Sequence, residues 1–255
     1  MSLISNYEST AKDYDKGRLD YPLDSVQKFL TALEYKPSDK VCDLGAGTGK
    51  LTSAMLEIAP DVDIVAVEPS PEMGRIFAEK FSSIPLLQSS AEAIPLPDAS
   101  VDIVVVGTAF HWFANKQALA EIARILKPNG RLGLIWNILD RQVSLVRELY
   151  YLLDYKRSAK NFHKTHDALE WRDVFVGQYL FTPLKHSVTH YTYTSVAEDI
   201  VNRMLASKIV GAFGLNEITK LRDNIRVILH AHNLDPQAFA MPYRVEMYWT
   251  EKVKP

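Results

Sequence analysis

A single cysteine, Cys42, occurs in 255 residues. That excludes an intrachain disulfide framework and makes a reducing compartment the expectation. Cys42 sits in an apolar run, which suits a small buried core residue better than a nucleophile. Neither sign of charge dominates: 29 Lys and Arg face 31 Asp and Glu, a formal net charge of −2. No electrostatic footprint for nucleic acid or an anionic membrane follows. No apolar run approaches bilayer length. Residues 1–7 show no basic region leading into an apolar one, so no secretory signal is expected and a cytoplasmic location is the default. The C-x-x-C and H-E-x-x-H spacings are absent. His163 and His166 stand three apart without an evident third ligand, so no metal is expected. Repeats and low-complexity tracts are missing as well.

Glycine is scarce, 11 in all, yet three stand at alternate positions, Gly45, Gly47 and Gly49. They follow the apolar run 41–44, which carries Asp43, and precede apolar residues at helical spacing in 51–58. The pattern is strand, tight turn, helix. Glycines there permit positive φ and close approach of a ligand, and the helix offers free N–H groups. The dinucleotide spacing G-x-G-x-x-G fails, because Lys50 holds its third glycine position. The phosphate-loop spacing fails too: Leu44 stands five before Gly49, and Leu51 follows Lys50. What remains is D-x-G-x-G-x-G.

The rest of the chain alternates strands and helices. A helix is predicted over 23–34 from Val26, Phe29, Leu30 and Leu33. A second strand over 61–68 ends in Glu68, nineteen residues after Gly49, where a β-α-β unit places an acid against a cofactor ribose. Ser70 and Pro71 then open a helix that carries Met73. A short strand spans 85–88, and a β-branched run at 101–107 reads as a central strand. An aromatic loop, Phe110, His111, Trp112 and Phe113, follows at that strand's carboxyl end, where open α/β sheets bind ligands. His111 is a candidate general base. A helix through Leu126 is expected to stop at the breakers Pro128 and Gly130, with a fifth strand over 131–137. Beyond it, helix is expected from 143 and an alternating strand over 184–194. Ser195 and Glu198 read as a capping box for a helix through 205, followed by a helix over 216–232 and a last strand over 239–252.

The D-x-G-x-G-x-G stretch resembles the first motif of class I S-adenosylmethionine (SAM) methyltransferases. Further landmarks resemble their type 11 group. Residues 91–98 match A-E-x-L-P-F-x-D with Ile94 and Leu96 substituted, and 121–132 match E-I-x-R-I-L-K-P-x-G-R-L. Residues 14–22 resemble the Y-D-x-x-R-P-x-Y-P opening of a small-molecule branch, with Leu19 for the first proline. The ending P-Y-x-x-x-x-Y-W at 242–249 resembles the same branch, which includes trans-aconitate methyltransferase-like and fungal thiol methyltransferase proteins. The resemblance implies one α/β domain, a Rossmann-like doubly wound sheet of seven strands, mostly parallel, with the last strand antiparallel. It divides into an arm or lid (1–22), a SAM-binding core (23–139), a helical insertion (140–183) and C-terminal strands and helices (184–255) that complete the sheet and acceptor pocket.

The same resemblance implies SAM as cofactor, with S-adenosylhomocysteine as product. It assigns Tyr14, Arg18, Asp43, Gly45, Ala46, Gly47, Gly49, Glu68, Pro69, Met73, Ser90, Ala91, Glu92, Thr108 and Ala109 to the cofactor. Phe110, His111 and Trp112 are expected at the acceptor pocket. The expected acceptor is a small molecule, with an oxygen, sulfur or nitrogen nucleophile, taken by a monomer or homodimer. The competing expectation is a catalytically silent SAM-binding regulator. An NAD-dependent reductase is disfavoured by Lys50 and by the lack of a Tyr-x-x-x-Lys pair.

Overall fold

A computed structural model describes residues 19–158, 170–205, 213–232 and 238–253. The elements in chain order are α1 (Leu23–Ala32), β1 (Lys40–Leu44), α2 (Lys50–Ile58), β2 (Asp63–Val67), α3 (Pro71–Lys80), β3 (Leu86–Leu87), β4 (Val101–Gly107), α4 (Lys116–Ile125), β5 (Leu126–Leu139), α5 (Ser144–Ser158), β6 (Lys185–Ser195), α6 (Ala197–Leu205), α7 (Leu215–Ala231) and β7 (Phe239–Glu251). Short 3-10 turns lie at Phe110–Trp112 and Glu170–Phe175. The expected positions Tyr14, Arg18, His163 and His166 fall outside the described residues.

The strands form one sheet in the order β3-β2-β1-β4-β5-β7-β6. β7 runs antiparallel to both β5 and β6, and the others run parallel. The expected seven-stranded, mostly parallel sheet with a reversed last strand is therefore what the chain forms. Alternation along β4 explains the two-sided burial. Ile103 and Val105 face one cluster with Val26, Phe29 and Leu30 of α1 and Met55 of α2. Val104 and Val106 face the other, with Leu119, Ile122 and Ile125 of α4. Successive side chains of a strand point to opposite faces, so a continuous β-branched run suits a central strand covered by helices on both sides.

A third cluster joins α5, α6 and α7 through Leu149, Val201 and Ile225, and it includes Phe239 and Met241 of β7. It takes in Leu139 at the carboxyl end of β5, the end at which the parallel strands present their loops. The helical insertion expected after β5 supplies α5. The other two helices come from the chain between β6 and β7.

Two local expectations are corrected. β5 starts at Leu126, immediately after α4, so residues 127–130 belong to the strand and are not a separate turn. Two steps along β4, Val101 to Ile103, match five along β5, Leu126 to Arg131. A bulge absorbs the difference, with Asn129 at φ 62° and Lys252 N–H donating to the Gly130 carbonyl. The capping box also fails. Ser195 remains in β6, and the Glu198 carboxylate is taken by Arg222 and Arg226 of α7. That long-range pairing links α6 to α7.

Gly133 lets β5 meet α1. A Cβ there would stand 2.6 Å from Phe29 Cζ and 2.8 Å from Leu33 Cδ1. Gly133→Ala is expected to cost about 1–3 kcal/mol through overpacking. Urea denaturation checks this: an unchanged midpoint would show that the interface has slack.

Candidate active site

The glycine turn is built by three residues in the left-handed region, Gly45 at φ 71°, Gly47 at 59° and Gly49 at 86°. A Cβ on Gly49 would also come within 2.3 Å of Phe81 Cε2, so glycine is required there twice over. Gly45 and Ala46 N–H both donate to the Val67 carbonyl, at 2.7 and 3.1 Å, which clasps the turn to the end of β2. Gly49 caps α2.

Two buried carboxylates flank the turn. Glu68 accepts from Gly47 N–H and from Ser70 N–H, each at 2.8 Å, one on each carboxylate oxygen. Ser70 in turn accepts from Met73 N–H at the start of α3. Glu68 is 6% exposed. Burial pushes its carboxyl up, opposed by the hydrogen bonds from Ser70 and Gly47. Asp43 accepts from the Thr52 hydroxyl at 2.6 Å on one oxygen. Its other oxygen is buried without a hydrogen-bond partner among the described residues. Burial pushes Asp43 up to about 7, against the Thr52 hydrogen bond and with the help of negative Glu68.

The turn's surroundings gather most of the expected cofactor residues. Ala109 Cβ would lie 3.1 Å from a Cβ on Gly45, and Met73 Sδ 3.9 Å from one on Gly47. Met73 is itself buried. Thr108 adopts φ 56°, unusual for a β-branched residue, and shares a 2.7 Å hydrogen bond with the Tyr21 hydroxyl. Pro69 joins Glu68 to the Ser70 cap. Ser90, Ala91 and Glu92 lie on the loop after β3. Ala91 is buried, and Glu92 accepts from Asn115, the cap of α4.

The aromatic loop divides. Phe110 turns inward, fully buried against Trp171 and Phe175. His111 and Trp112 stay partly exposed, with ring centroids 4.9 Å apart. Trp136 of β5 donates its indole N–H to His111 Nδ1 at 3.3 Å.

Several residues near the site carry no short-range sequence signal. Asn137 donates to the Asp20 carbonyl and accepts from the Tyr191 hydroxyl at 2.7 Å. Asp20 also pairs with Lys50 beside the glycine turn, at 2.7 Å. Tyr191 stacks on Tyr243. The Arg203 guanidinium lies 4.7 Å over the Tyr193 ring, with one nitrogen buried and unpartnered among the described residues. Glu121 and Arg124 are visible as an i,i+3 pair. Their catch of the 94–98 loop, through the Ile94 and Leu96 carbonyls, the Ile94 N–H and Asp98, is not. Among the described residues no three His, Cys, Asp or Glu side chains gather as a metal site, and no helix is long and apolar enough to cross a membrane.

Comparison with known proteins gives a consistent result. The family described as "Methyltransferase domain" matches residues 42–134. An uncharacterized methyltransferase of Schizosaccharomyces pombe is 35% identical over 239 residues, covering 91% of this chain and 92% of that protein. A solved structure from Anaeromyxobacter dehalogenans, assigned provisionally as a type II methyltransferase, is similar at TM-score 0.67 and 16% identity, over 91% of this chain and 97% of its own. A Haemonchus contortus N-methyltransferase solved with S-adenosylhomocysteine is similar at TM-score 0.52 and 12% identity, over 91% of this chain and 53% of its own.

The Asp43 environment has a measurable consequence. Folded, Asp43 titrates near 7. Unfolded, it titrates near 4. Between about pH 4 and 7 the folded chain holds a proton that the unfolded chain has released, so this group's contribution to stability falls as pH rises. Asp43→Asn is expected to remove a fall on the order of 3 kcal/mol across that window. Urea denaturation of both proteins at several pH values tests it; parallel curves would contradict the buried, proton-holding carboxyl.

Proposed function

The chain belongs to the class I methyltransferases of the type 11 group, and from that premise we propose that it moves a methyl group from SAM to a small-molecule acceptor. The observation that carries the choice of donor is Glu68, bonded at the rim of the glycine turn to Gly47 and Ser70. Each carboxylate oxygen has a second lone pair, so both can accept ribose hydroxyls without releasing the amides. The bare oxygen of Asp43 fits a cationic or hydrogen-bonding partner, which an amino-acid end provides. Gly45 and Gly47, at positive φ and partly exposed, leave backbone open where side chains would otherwise stand. Residues 90–92 are assigned to the adenine.

SAM supplies a methyl group already activated by the sulfonium charge. The protein's task is then to hold the nucleophile in line and exclude water. Thr108 and Tyr21, joined across the end of β4, and Asn137 with Tyr191 form the adjoining wall. Tyr193, Tyr243 and Arg203 extend it. A wall of tyrosines and one guanidinium suits a small polar molecule, and the net charge of −2 gives no broad basic surface for nucleic acid. A reducing, cytoplasmic setting agrees with the one cysteine, Cys42, buried in β1. The protein acts as a monomer or homodimer.

Calorimetry with SAM, S-adenosylhomocysteine and NAD tests the donor. Binding of the first two without NAD is expected, and Glu68→Ala should weaken SAM roughly tenfold or more through loss of charge-assisted hydrogen bonds. Preferential NAD binding would overturn the assignment. Radiolabelled SAM with panels of small acids, phenols, thiols and amines tests the acceptor class. Tight SAM binding with no product on any panel would favour a silent SAM-binding regulator.

A further inference from the structure

We propose that Tyr21 is a positioning residue for the donor: its hydroxyl holds Thr108 in a strained backbone conformation, and that conformation sets the turn closing β4 against the glycine turn. The inference rests on the proposed SAM reading for what the glycine turn binds, but not for its geometry. Among the described residues, four other than glycine have positive φ: Glu34, Ala99, Thr108 and Asn129. Of these only Thr108 is β-branched, the kind of residue for which a φ of 56° is most costly. It is also the one that stands at the carboxyl end of a parallel strand, where open α/β sheets bind ligands.

Glycine would hold this torsion at less cost. What threonine adds is a hydroxyl, and Tyr21 shares a 2.7 Å hydrogen bond with it. Thr108 N–H donates to the Ile135 carbonyl at 2.8 Å, so its nitrogen stays fixed to β5. One bond holds the nitrogen and the other the side chain, on either side of the N–Cα bond about which φ turns. Strained torsions persist only where the surroundings over-determine them. Tyr21 is itself well held. It is 7% exposed and packs in the cluster of Val26 and Phe29 of α1. A Cβ on Gly107 would stand 3.0 Å from its hydroxyl oxygen, so a glycine before Thr108 gives that oxygen its place. Asp20, beside it, pairs with Lys50 at the start of α2, and its carbonyl accepts from Asn137 of β5. Residues 20 and 21 thus tie α2, β4 and β5 together.

The turn that Thr108 opens meets the proposed donor site. Ala109, the next residue, has its Cβ 3.1 Å from where a Cβ on Gly45 would stand, a fit that leaves little room for a side chain there. A Thr108 relaxed to negative φ would swing Ala109 and the loop behind it relative to Gly45. Donor binding would then have to restore the strained form, and the cost would appear as lost affinity. Tyr21 acts through Thr108, from 87 positions away in the chain.

The test uses the full chain and S-adenosylhomocysteine. Calorimetry is expected to show about tenfold weaker binding for Tyr21→Phe and for Thr108→Val, the lower part of what a strained backbone costs to restore. The double variant should lose no more than either single one, because both changes remove the same bond. Thr108→Ser keeps the hydroxyl and should bind about fivefold more tightly than Thr108→Val. Losses that multiply in the double variant would overturn the proposal. So would a Tyr21→Phe that lowers the urea midpoint and leaves the affinity unchanged, which is how a bond serving stability alone behaves. A crystal structure of ligand-free Tyr21→Phe gives a second readout. Thr108 is expected there at negative φ, and a φ still near 56° would overturn the proposal. Should Tyr21→Phe not fold, Thr108→Val, which keeps the shape of threonine, serves for both measurements. A wild-type chain that binds neither SAM nor S-adenosylhomocysteine would count against the donor reading, while the torsion in the variant would still decide whether Tyr21 holds Thr108.

Discussion

The hydrogen bonds from Gly47 and Ser70 to Glu68 join the parts of this molecule that must stay in register. One carboxylate ties the glycine turn after β1 to the start of α3, across the end of β2. Putting a charged group at 6% exposure is costly unless donors meet it, and here backbone N–H groups do. The cost is visible in the raised proton affinity of Glu68. Asp43 behaves in the same way, with one oxygen lacking a donor among the described residues. In the proposed reading, a ligand that brings hydroxyls and positive charge meets both acids.

The acceptor side has a different construction. The residues proposed for its wall come from distant parts of the chain: Tyr21 before α1, Thr108 after β4, Asn137 in β5, Tyr191 in β6 and Arg203 in α6. The cap of α5, α6 and α7 closes on an apolar cluster that it shares with the ends of β5 and β7. In the proposed reading, loops at the end of the sheet hold the donor, and the helical layer beside them can vary while those loops stay fixed.

This division explains what could be read from the sequence. Glycine spacing, the acid nineteen residues later and the β-branched run at 101–107 each reflect local backbone demands, so the donor half of the sheet was legible. The reversal of β7 came with the resemblance, because alternation marks how a strand's two faces are covered and does not name the neighbour it pairs with. Ser195 and Glu198 have the spacing of a capping box, yet Arg222 and Arg226 compete successfully for Glu198 from 24 and 28 residues away. The breakers Pro128 and Gly130 did end a helix as expected, but the strand took them up as a bulge. The bond from Trp136 to His111, and those joining Asn137 to Tyr191 and Asp20, depend on tertiary placement. No local pattern encodes them.

The most direct test of the account is a crystal structure with S-adenosylhomocysteine. The ribose hydroxyls are expected within hydrogen-bond distance of Glu68 while Gly47 and Ser70 still donate to it, with the amino-acid end directed to the glycine turn beside Asp43. Nucleoside bound elsewhere, or no ligand oxygen within reach of Glu68, would contradict it.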